Sequence, residues 1–281
     1  MERDYSCFIR KTLLYTSLII GAASAMFPFL WMIFSSFMTR GETIRRAIIP
    51  ENVQWANYIG AWREAHFSLY FENSVIIAVI QVVGTLTFSL MAAYPLARME
   101  FRGRDTIFAV ILATLMIPET VTMVPNFLTV TWLHRNTPVL WLNNWPSLTI
   151  PFLTSAFSIF LLRQFMRGVP NDLWEAARID GAGHLRFLFR IILPLCRPPL
   201  LTVGMFTFIG SWNSLAWPLL VTNSSEWRPI SVGLQQFVSE AGAEIHLQMA
   251  GAVIATIPVL FVYFLIQKEF TEGISMSGLK G

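Results

Sequence analysis

The sequence predicts an all-α membrane protein with six transmembrane helices, and its composition and the spacing of its charges are the observations that indicate this fold. Of the 281 residues, 54% are hydrophobic and 13% are charged, whereas soluble domains carry about 25% charged residues. The charges are spaced so that several apolar windows exceed the ~20 residues that a helix needs to cross the hydrocarbon core. A soluble helical protein does not bury six such windows in one core.

Each predicted span corresponds to one apolar window. The first, 12–37, follows a few basic residues but is too long for the apolar part of a signal peptide, so we expect an uncleaved span. The remaining spans are approximately 74–97, 106–130, 148–166, 198–222 and 247–267. Because a backbone in lipid must satisfy its own hydrogen bonds, we expect these windows to be helical, and the alternation typical of a β-barrel is absent. The chain 1–281 is predicted to form a single membrane domain.

The distribution of basic residues predicts the orientation of the spans. Six spans place both termini on one side. With the N-terminus inside, fourteen of the 20 Lys and Arg residues lie in inner segments and six lie in outer segments. This bias predicts cytoplasmic termini, and it explains the arginines better than nucleic-acid binding does. The two cysteines, Cys7 and Cys196, are too few for a disulfide framework and should be reduced in the cytoplasm.

The predicted cytoplasmic connection 167–194 has the pattern of a helix, a turn and a second helix. Asn171 or Asp172 can cap a helix start, and Gly181 is suited to a left-handed helix end. A second helical piece follows at 184–192. One face of the first helix is formed, at i, i+3, i+4 and i+7 spacing, by Leu173, Ala176, Ala177 and Asp180. On physical grounds alone, such a hairpin either rests on the bilayer surface or docks into a partner protein.

The same connection carries residues that resemble those of a known family. The pattern E-A-A, three residues, G, nine residues and I-x-L-P is formed by Glu175, Ala176, Ala177, Gly181, Ile191, Leu193 and Pro194. It resembles the coupling loop of binding-protein-dependent ABC importer permeases. The string E-A-A-R-I-D-G-A is similar to the carbohydrate branch of that family, which includes maltose and glycerol-phosphate permeases. Segments 52–62, 208–218 and 270–281 also resemble this branch, so the resemblance covers nearly the whole chain.

The resemblance implies a type I ABC importer permease fold in a bacterial or archaeal cytoplasmic (inner) membrane. It implies a heterodimer with a second permease subunit, two ATPase subunits that hold ATP and Mg, and an extracytoplasmic solute-binding protein. The chain itself would then be no enzyme and would hold no cofactor or metal. The implied coupling residues are Leu173, Glu175, Ala176, Ala177, Asp180 and Gly181. Among them, Glu175 would be the polar anchor and Gly181 would set the turn. The tail 273–281 either touches the ATPases or is a frayed end.

Three residues within the predicted spans are candidates for the solute pathway. Glu119 lies ~14 residues beyond Asp105, which places it ~21 Å into the membrane along a straight helix. An acid inside a span is a functional candidate by default. Trp212 and Asn213 lie at a similar depth in span five, and a Trp–Asn pair suits stacking and hydrogen bonding to a sugar ring. The alternative for these residues is a satisfied polar contact between helices.

The resulting hypothesis is a permease subunit for a sugar or sugar-like solute, and other functions stay open. A permease for glycerol-phosphate or another polyol phosphate would favour arginine in the pathway, yet the predicted spans contain no central Arg or Lys. A secondary transporter would show an internal repeat, broken helices and coupling-ion ligands near the bilayer midplane. A membrane-embedded enzyme would need a paired carboxylate or a His or Cys cluster, and the predicted spans contain neither.

Overall fold

The computed structural model describes residues 2–64, 66–239 and 242–278, with side chains described for 10–63, 66–238 and 244–267. The regular elements, in chain order, are α1 (Glu2–Ser36), α2 (Arg40–Ile44), α3 (Ala56–Glu64), α4 (Phe67–Arg98), α5 (Arg104–Thr114), α6 (Glu119–Asn136), α7 (Trp145–Thr149), a 3₁₀ turn (Ile150–Phe152), α8 (Ala156–Arg167), α9 (Asp172–Ile179), α10 (His184–Phe187), a π-helical turn (Leu188–Ile192), α11 (Leu193–Leu195), α12 (Arg197–Trp212), α13 (Ala216–Val221), a 3₁₀ turn (Ser225–Trp227), α14 (Ile230–Gln235), β1 (Val238–Ser239), β2 (Gly242–Ala243) and α15 (Ile245–Gly278). The two short strands pair antiparallel, with Val238 opposite Ala243. The last residues of the tail considered above, 279–281, lie outside the described residues.

Within the described residues, three helical stretches are long and apolar enough to cross a membrane unbroken: Arg10–Ser36, Phe67–Arg98 and Ile245–Gln267. Three further candidates are pairs of helices with a bend between them: Arg104–Thr114 with Glu119–Asn136 at 98°, Trp145–Phe152 with Ala156–Arg167 at 41°, and His184–Leu195 with Arg197–Trp212 at 79°. The described chain therefore holds three clear spans, or up to six if each bent pair counts as one. The helical fold class is confirmed at this level, and the count of six stays a prediction.

The bends are differences from the continuous helices that hydropathy predicts. The window 106–130 is interrupted after Thr114, and α6 begins after Pro118, whose ψ of 136° is not helical. Proline cannot donate a backbone hydrogen bond and disfavours a helical conformation in the residue before it. The window 198–222 is interrupted between Trp212 and Ala216. Pro218 contributes to the interruption between Trp212 and Ala216, because a proline clashes with the carbonyl four residues before it.

Side chains from other helices bind the carbonyl groups near the break in span four. The Gln81 Nε2 on α4 donates to the Leu148 carbonyl at 2.8 Å, and the Thr85 hydroxyl donates to the Phe152 carbonyl at 3.0 Å. From α13, the Trp217 indole N–H donates to the Ser147 carbonyl at 2.8 Å. These hydrogen bonds make the irregular backbone between α7 and α8 compatible with an apolar surrounding, where an unpaired peptide group costs several kcal/mol.

The chain divides into two compact units, and the single-domain organisation stays a prediction. The first unit comprises Met1–Phe67 and Gly233–Ile257. In it, the buried Asn57 amide donates to the carbonyls of Ser36 and Met38 at 2.9 and 2.8 Å, and so fixes the end of α1. Most of α1 before this point exposes apolar side chains, as a lipid-facing helix does.

A capping box begins α2 in the same unit. The Glu42 carboxylate accepts hydrogen bonds from the backbone N–H of Thr39 and of Glu51, both at 2.7 Å, and from the Thr39 hydroxyl at 2.8 Å. The N–H groups of Thr39 and then Glu51 hold the pKa of the Glu42 carboxyl below its ordinary value, because they stabilise the charged form. The loop after α1 is therefore fixed by local polar contacts.

The second unit comprises Ser68–Val232 and Pro258–Gly281, and a buried arginine joins three of its helices. Arg163 on α8 is only 3% exposed. Its Nε donates to the Leu96 carbonyl on α4 at 3.0 Å, and its Nη2 lies 3.1 Å from the Asp105 carboxylate on α5. Its guanidinium also stacks 3.7 Å above the centre of the Phe108 ring. Asp105 is 74% exposed, so that ion pair adds little, and the carbonyl contact and the stacking dominate.

We expect Arg163→Gln to destabilise the protein, because the glutamine loses the charged hydrogen bond to Leu96 and the stacking on Phe108. The cost is roughly 2–4 kcal/mol by ordinary values for these two interactions. Arg167→Gln is the matched control, since Arg167 lies in the last turn of the same helix but is exposed. Thermal unfolding of the purified membrane protein should give a lower midpoint for Arg163→Gln alone. Equal midpoints for both variants would contradict the structural role of Arg163.

Candidate functional site

A polar recess opens in the second unit beside the break in span three. Its volume is about 280 Å³, and its walls come from α4, α6, α8, α12 and the segments around them. The polar side chains of the wall include Glu119, Thr154, Ser155, Ser158, Thr207 and Ser211. A second recess of about 320 Å³ shares Glu119 with the first and also contains Asn126 and Trp217. Neither wall, as far as the described residues form it, includes a lysine, an arginine or a histidine.

Glu119 is the one predicted pathway residue that contributes to these walls. It is the first residue of α6, directly after the break, and its side chain is exposed. The predicted depth of ~21 Å does not apply, because the helix bends by 98° between Asp105 and Glu119. The break instead brings the carboxylate beside the hydroxyl groups of α8 and α12.

The other two predicted pathway residues lie elsewhere. Trp212 is 2% exposed and packs against the rings of Phe208 and Phe71, with centroids at 5.4 and 5.6 Å. Asn213 is exposed at the C-terminal cap of α12. Neither residue is part of the wall of either recess. Their contact with a solute stays a prediction.

Helical spacing explains why α12 presents different residues to the recess. Thr207, Gly210 and Ser211 recur at three- and four-residue spacing, so they share one side of α12, and Ser214 lines the recess from the break after this helix. The buried Ser211 hydroxyl finds no hydrogen-bond partner among the residues that the structure describes. Its oxygen is enclosed by the surrounding protein, so it is not part of the open surface of the recess. The sequence analysis missed this stripe, although the spacing of small polar residues in an apolar span could have identified it.

The connection 167–194 folds as the sequence predicts in its main features. α9 (Asp172–Ile179) is followed by Gly181 at φ +73°, so the expected left-handed helix end is confirmed. The N–H of Gly181 bonds to the Arg178 carbonyl at 3.0 Å, and the N–H of Ala182 bonds to the Ala177 carbonyl at 2.8 Å. These two bonds form a Schellman motif, which closes the C-terminus of the helix. The start differs from the prediction, because Asn171 occupies the cap position without a side-chain cap bond.

The four residues predicted to share one face of α9 divide between two environments. Ala177 is buried at 6% exposure, whereas Leu173, Ala176 and Asp180 are exposed. Trp174 and Ala177 lie one turn apart and both pack against the core of the second unit. The side of α9 that they share therefore faces inward. Glu175 is also exposed. The exposed apolar side chains of this region are Leu173 on α9, Ile179 at its end and Leu185 on α10.

Aromatic contacts hold α9 against the second helix of the connection. The Trp174 ring stacks on His184 with centroids 4.4 Å apart and 19° between planes, and it meets Phe187 edge-on at 5.0 Å. The His184 Nδ1 shares a hydrogen bond of 2.9 Å with the hydroxyl of Tyr94 on α4. α9 is therefore attached to the transmembrane helix α4 through His184.

A second attachment lies four residues farther along α4. Arg98 Nη1 donates to the Val169 carbonyl at 2.8 Å, and Nη2 donates to the Pro170 carbonyl at 3.4 Å. The guanidinium also lies 5.7 Å from the centre of the Phe187 ring. Arg98 thus fixes the entrance to the connection, while Tyr94 fixes its turn. α4 therefore holds the connection at two points, Tyr94 and Arg98, and the outer face of α9 stays exposed.

Comparison with known proteins assigns this arrangement to a family. Residues 85–275 match the family model of the binding-protein-dependent transport system inner membrane component. The diacetylchitobiose uptake system permease protein NgcG of Streptomyces coelicolor is 34% identical over 263 residues, which cover 92% of this chain and 85% of that protein. The sn-glycerol-3-phosphate transport system permease protein UgpE of Yersinia enterocolitica is 32% identical over 270 residues, covering 92% of this chain and 94% of that protein.

A solved structure agrees with these relatives. The fold superposes with a TM-score of 0.83 on a chain from the crystal structure of a bacterial ABC transporter involved in the import of the acidic polysaccharide alginate. That match has 26% sequence identity and covers 94% of this chain and 98% of the other. The chain therefore belongs to the family of inner membrane components of binding-protein-dependent transport systems, and it is a multi-pass permease subunit of an ATP-binding-cassette importer.

Proposed function

We propose that this permease, together with a second permease, forms the translocation pathway for a sugar or sugar-like solute. The observation that carries this proposal is the recess around Glu119, whose wall offers hydroxyl groups and a carboxylate but, within the described residues, no cation. Hydroxyl and carboxylate groups hydrogen-bond to the hydroxyls of a sugar, and the exposed Glu119 carboxylate is one such group. The diacetylchitobiose permease among its relatives supports the same solute class.

A polyol phosphate is the second candidate, and the similarity to the glycerol-3-phosphate permease favours it. A phosphate carries negative charge and is recognised by arginine or lysine in most protein sites. Glu119 would repel such a solute, and an attractive charge would have to come from the second permease. The wall of this chain therefore fits a neutral sugar better. The alternative from another class is a secondary transporter, for which broken helices are expected. The bent helix pairs agree with that expectation, but membership of the importer family decides against it.

We further propose that the spans number six, with cytoplasmic termini, and that α9 is the coupling helix. Two separate ATPase subunits would bind ATP and Mg, and an extracytoplasmic binding protein would deliver the solute. Support for the docking of α9 comes from its outer face, which exposes Leu173, Ala176 and Glu175 to a partner. Asp180 and Gly181 close the helix, so they fix the direction of this face. In this mechanism, closure of the ATPases moves α9, and this movement changes the side of the membrane to which the recess is open.

We expect Glu119→Gln to lower the maximal uptake of a neutral sugar by about tenfold, because a hydrogen bond to a charged group contributes about 1.5 kcal/mol or more. Glu100→Gln, an exposed acid in the loop after α4, is the control and should transport normally. The measurement is uptake into vesicles that contain the assembled transporter at saturating binding protein. If Glu119→Gln instead increases the uptake of a polyol phosphate and leaves sugar uptake unchanged, the second candidate is correct.

We expect Gly181→Val to impair the transporter as a whole. A β-branched residue at φ +73° is strained by about 1–2 kcal/mol and shifts the end of α9. Gly183→Ala is a matched control, because Gly183 has φ −82° and a Cβ there meets no atom within 4 Å. Binding-protein-stimulated ATP hydrolysis and uptake should fall together in Gly181→Val and persist in Gly183→Ala. Full transport by Gly181→Val with full ATPase stoichiometry would contradict the coupling role.

The orientation can be tested with single cysteines in a chain that lacks Cys7 and Cys196. We expect Gly183→Cys to react with an impermeant thiol reagent only after the membrane is opened, because the connection is proposed to be cytoplasmic. Glu226→Cys, at an exposed position after α13, should react from outside intact cells. The readout is labelling before and after permeabilisation. Labelling of residue 183 alone in intact cells would reverse the proposed orientation.

A further inference from the structure

An apolar groove lies on the second unit, apart from the recess and from the exposed face of α9. Its volume is about 620 Å³. It is bounded by α4, by the segment 188–195 and by the first turns of α12, and the apolar side chains of its wall include Leu86, Leu90, Phe189, Leu193, Leu200 and Leu201. The one hydroxyl in the wall, on Thr87, already donates to the Val83 carbonyl at 2.7 Å. Apart from Arg197, the wall therefore offers hydrocarbon contacts and no free donor for a polar solute.

A single cation stands at one end of this wall. Arg197 is the first residue of α12, is exposed and lines the groove. Among the described residues, the ion pairs join Asp105 to Arg104 and Arg163, so Arg197 has no carboxylate partner there. An unpaired guanidinium at the end of an apolar groove is complementary to a molecule that has an anionic head and a hydrocarbon tail.

The groove has the right direction for such a molecule in a membrane. Arg197 begins α12 and Arg98 ends α4, so both cations mark helix ends. Leu90 and Leu86 precede Arg98 by 8 and 12 residues, which corresponds to about 12 and 18 Å along α4. The wall thus extends from the level of the helix ends into the part of α4 that lies within the hydrocarbon.

We propose that this groove binds an anionic phospholipid, whose phosphate pairs with Arg197 and whose acyl chain lies along Leu90 and Leu201. A cation near the membrane surface contributes about 1 kcal/mol to the binding of an anionic lipid, which is about fivefold in affinity. A helix of the second permease is the competing occupant. A protein helix in this groove would bury the Arg197 guanidinium, and a buried carboxylate would be required to pair with it. Removing both charges from water is costly, whereas a lipid phosphate pairs with Arg197 at the water interface.

The test uses the assembled transporter in nanodiscs that contain phosphatidylglycerol and phosphatidylcholine. Native mass spectrometry counts the lipids that stay bound after delipidation. We expect Arg197→Gln to retain phosphatidylglycerol about fivefold less than the unmodified transporter. Arg102→Gln, which removes an exposed arginine outside the groove, should retain it fully. Equal retention by the two variants would overturn the proposal.

A second pair of measurements separates the lipid from a protein occupant. Leu201→Trp keeps the charge but fills the groove, so it should also reduce retention of phosphatidylglycerol. A photo-reactive amino acid at Thr87, which is exposed in the wall, should crosslink to phospholipid. A crosslink from this position to the second permease, with no lipid adduct, would assign the groove to the subunit interface and reject the lipid site. None of these readouts depends on which solute is transported or on the role of α9.

Discussion

In hydrocarbon, a peptide group that leaves its helix must find a hydrogen-bond partner within the protein, because no water is available to replace it. This constraint controls where the spans can break. The carbonyls near the break in span four are bound by Gln81, Thr85 and Trp217, which come from other helices. The carbonyl of Ser214, at the break in span five, is bound by the Ser231 hydroxyl. These two irregular segments thus have side chains elsewhere in the second unit that support them.

The same constraint determines which part of the unit is polar enough to receive a solute. Segments that leave the helical conformation collect polar side chains around them, and the wall of the recess contains residues from the breaks in spans three, four and five. Glu119 is at the start of α6, where free backbone N–H groups favour an anionic side chain. An isolated acid in the middle of an unbroken span would be far more costly. The break before α6 therefore explains how a carboxylate is tolerated here and why it faces the hydroxyls of α12.

Composition and pattern were sufficient to predict the helical membrane class, the turn at Gly181 and the two helical pieces of the connection 167–194. They were not sufficient for the breaks, because hydropathy measures the transfer of side chains and contains no term for the partners of backbone groups. Trp212 and Asn213 were selected by chemical type, but the three- and four-residue periodicity of α12 directs Thr207 and Ser211 to the recess instead. Arg163 was counted as a topology signal, and its burial against Leu96 and Phe108 depends on the neighbouring helices alone.

α4 joins the recess to the connection 167–194, and this gives the proposed coupling a physical route. Near its end, Tyr94 and Arg98 hold the turn and the entrance of the connection that carries α9. Thirteen residues before Tyr94, Gln81 holds the Leu148 carbonyl at the break beside the recess, a separation of about 20 Å along a helix. A continuous helix keeps its length, because stretching it would break its internal hydrogen bonds. A displacement of α9 that carries α4 with it must therefore also move the support of the break. The recess and the proposed docking face of α9 are then both attached to one continuous helix, and a change in its position alters both together.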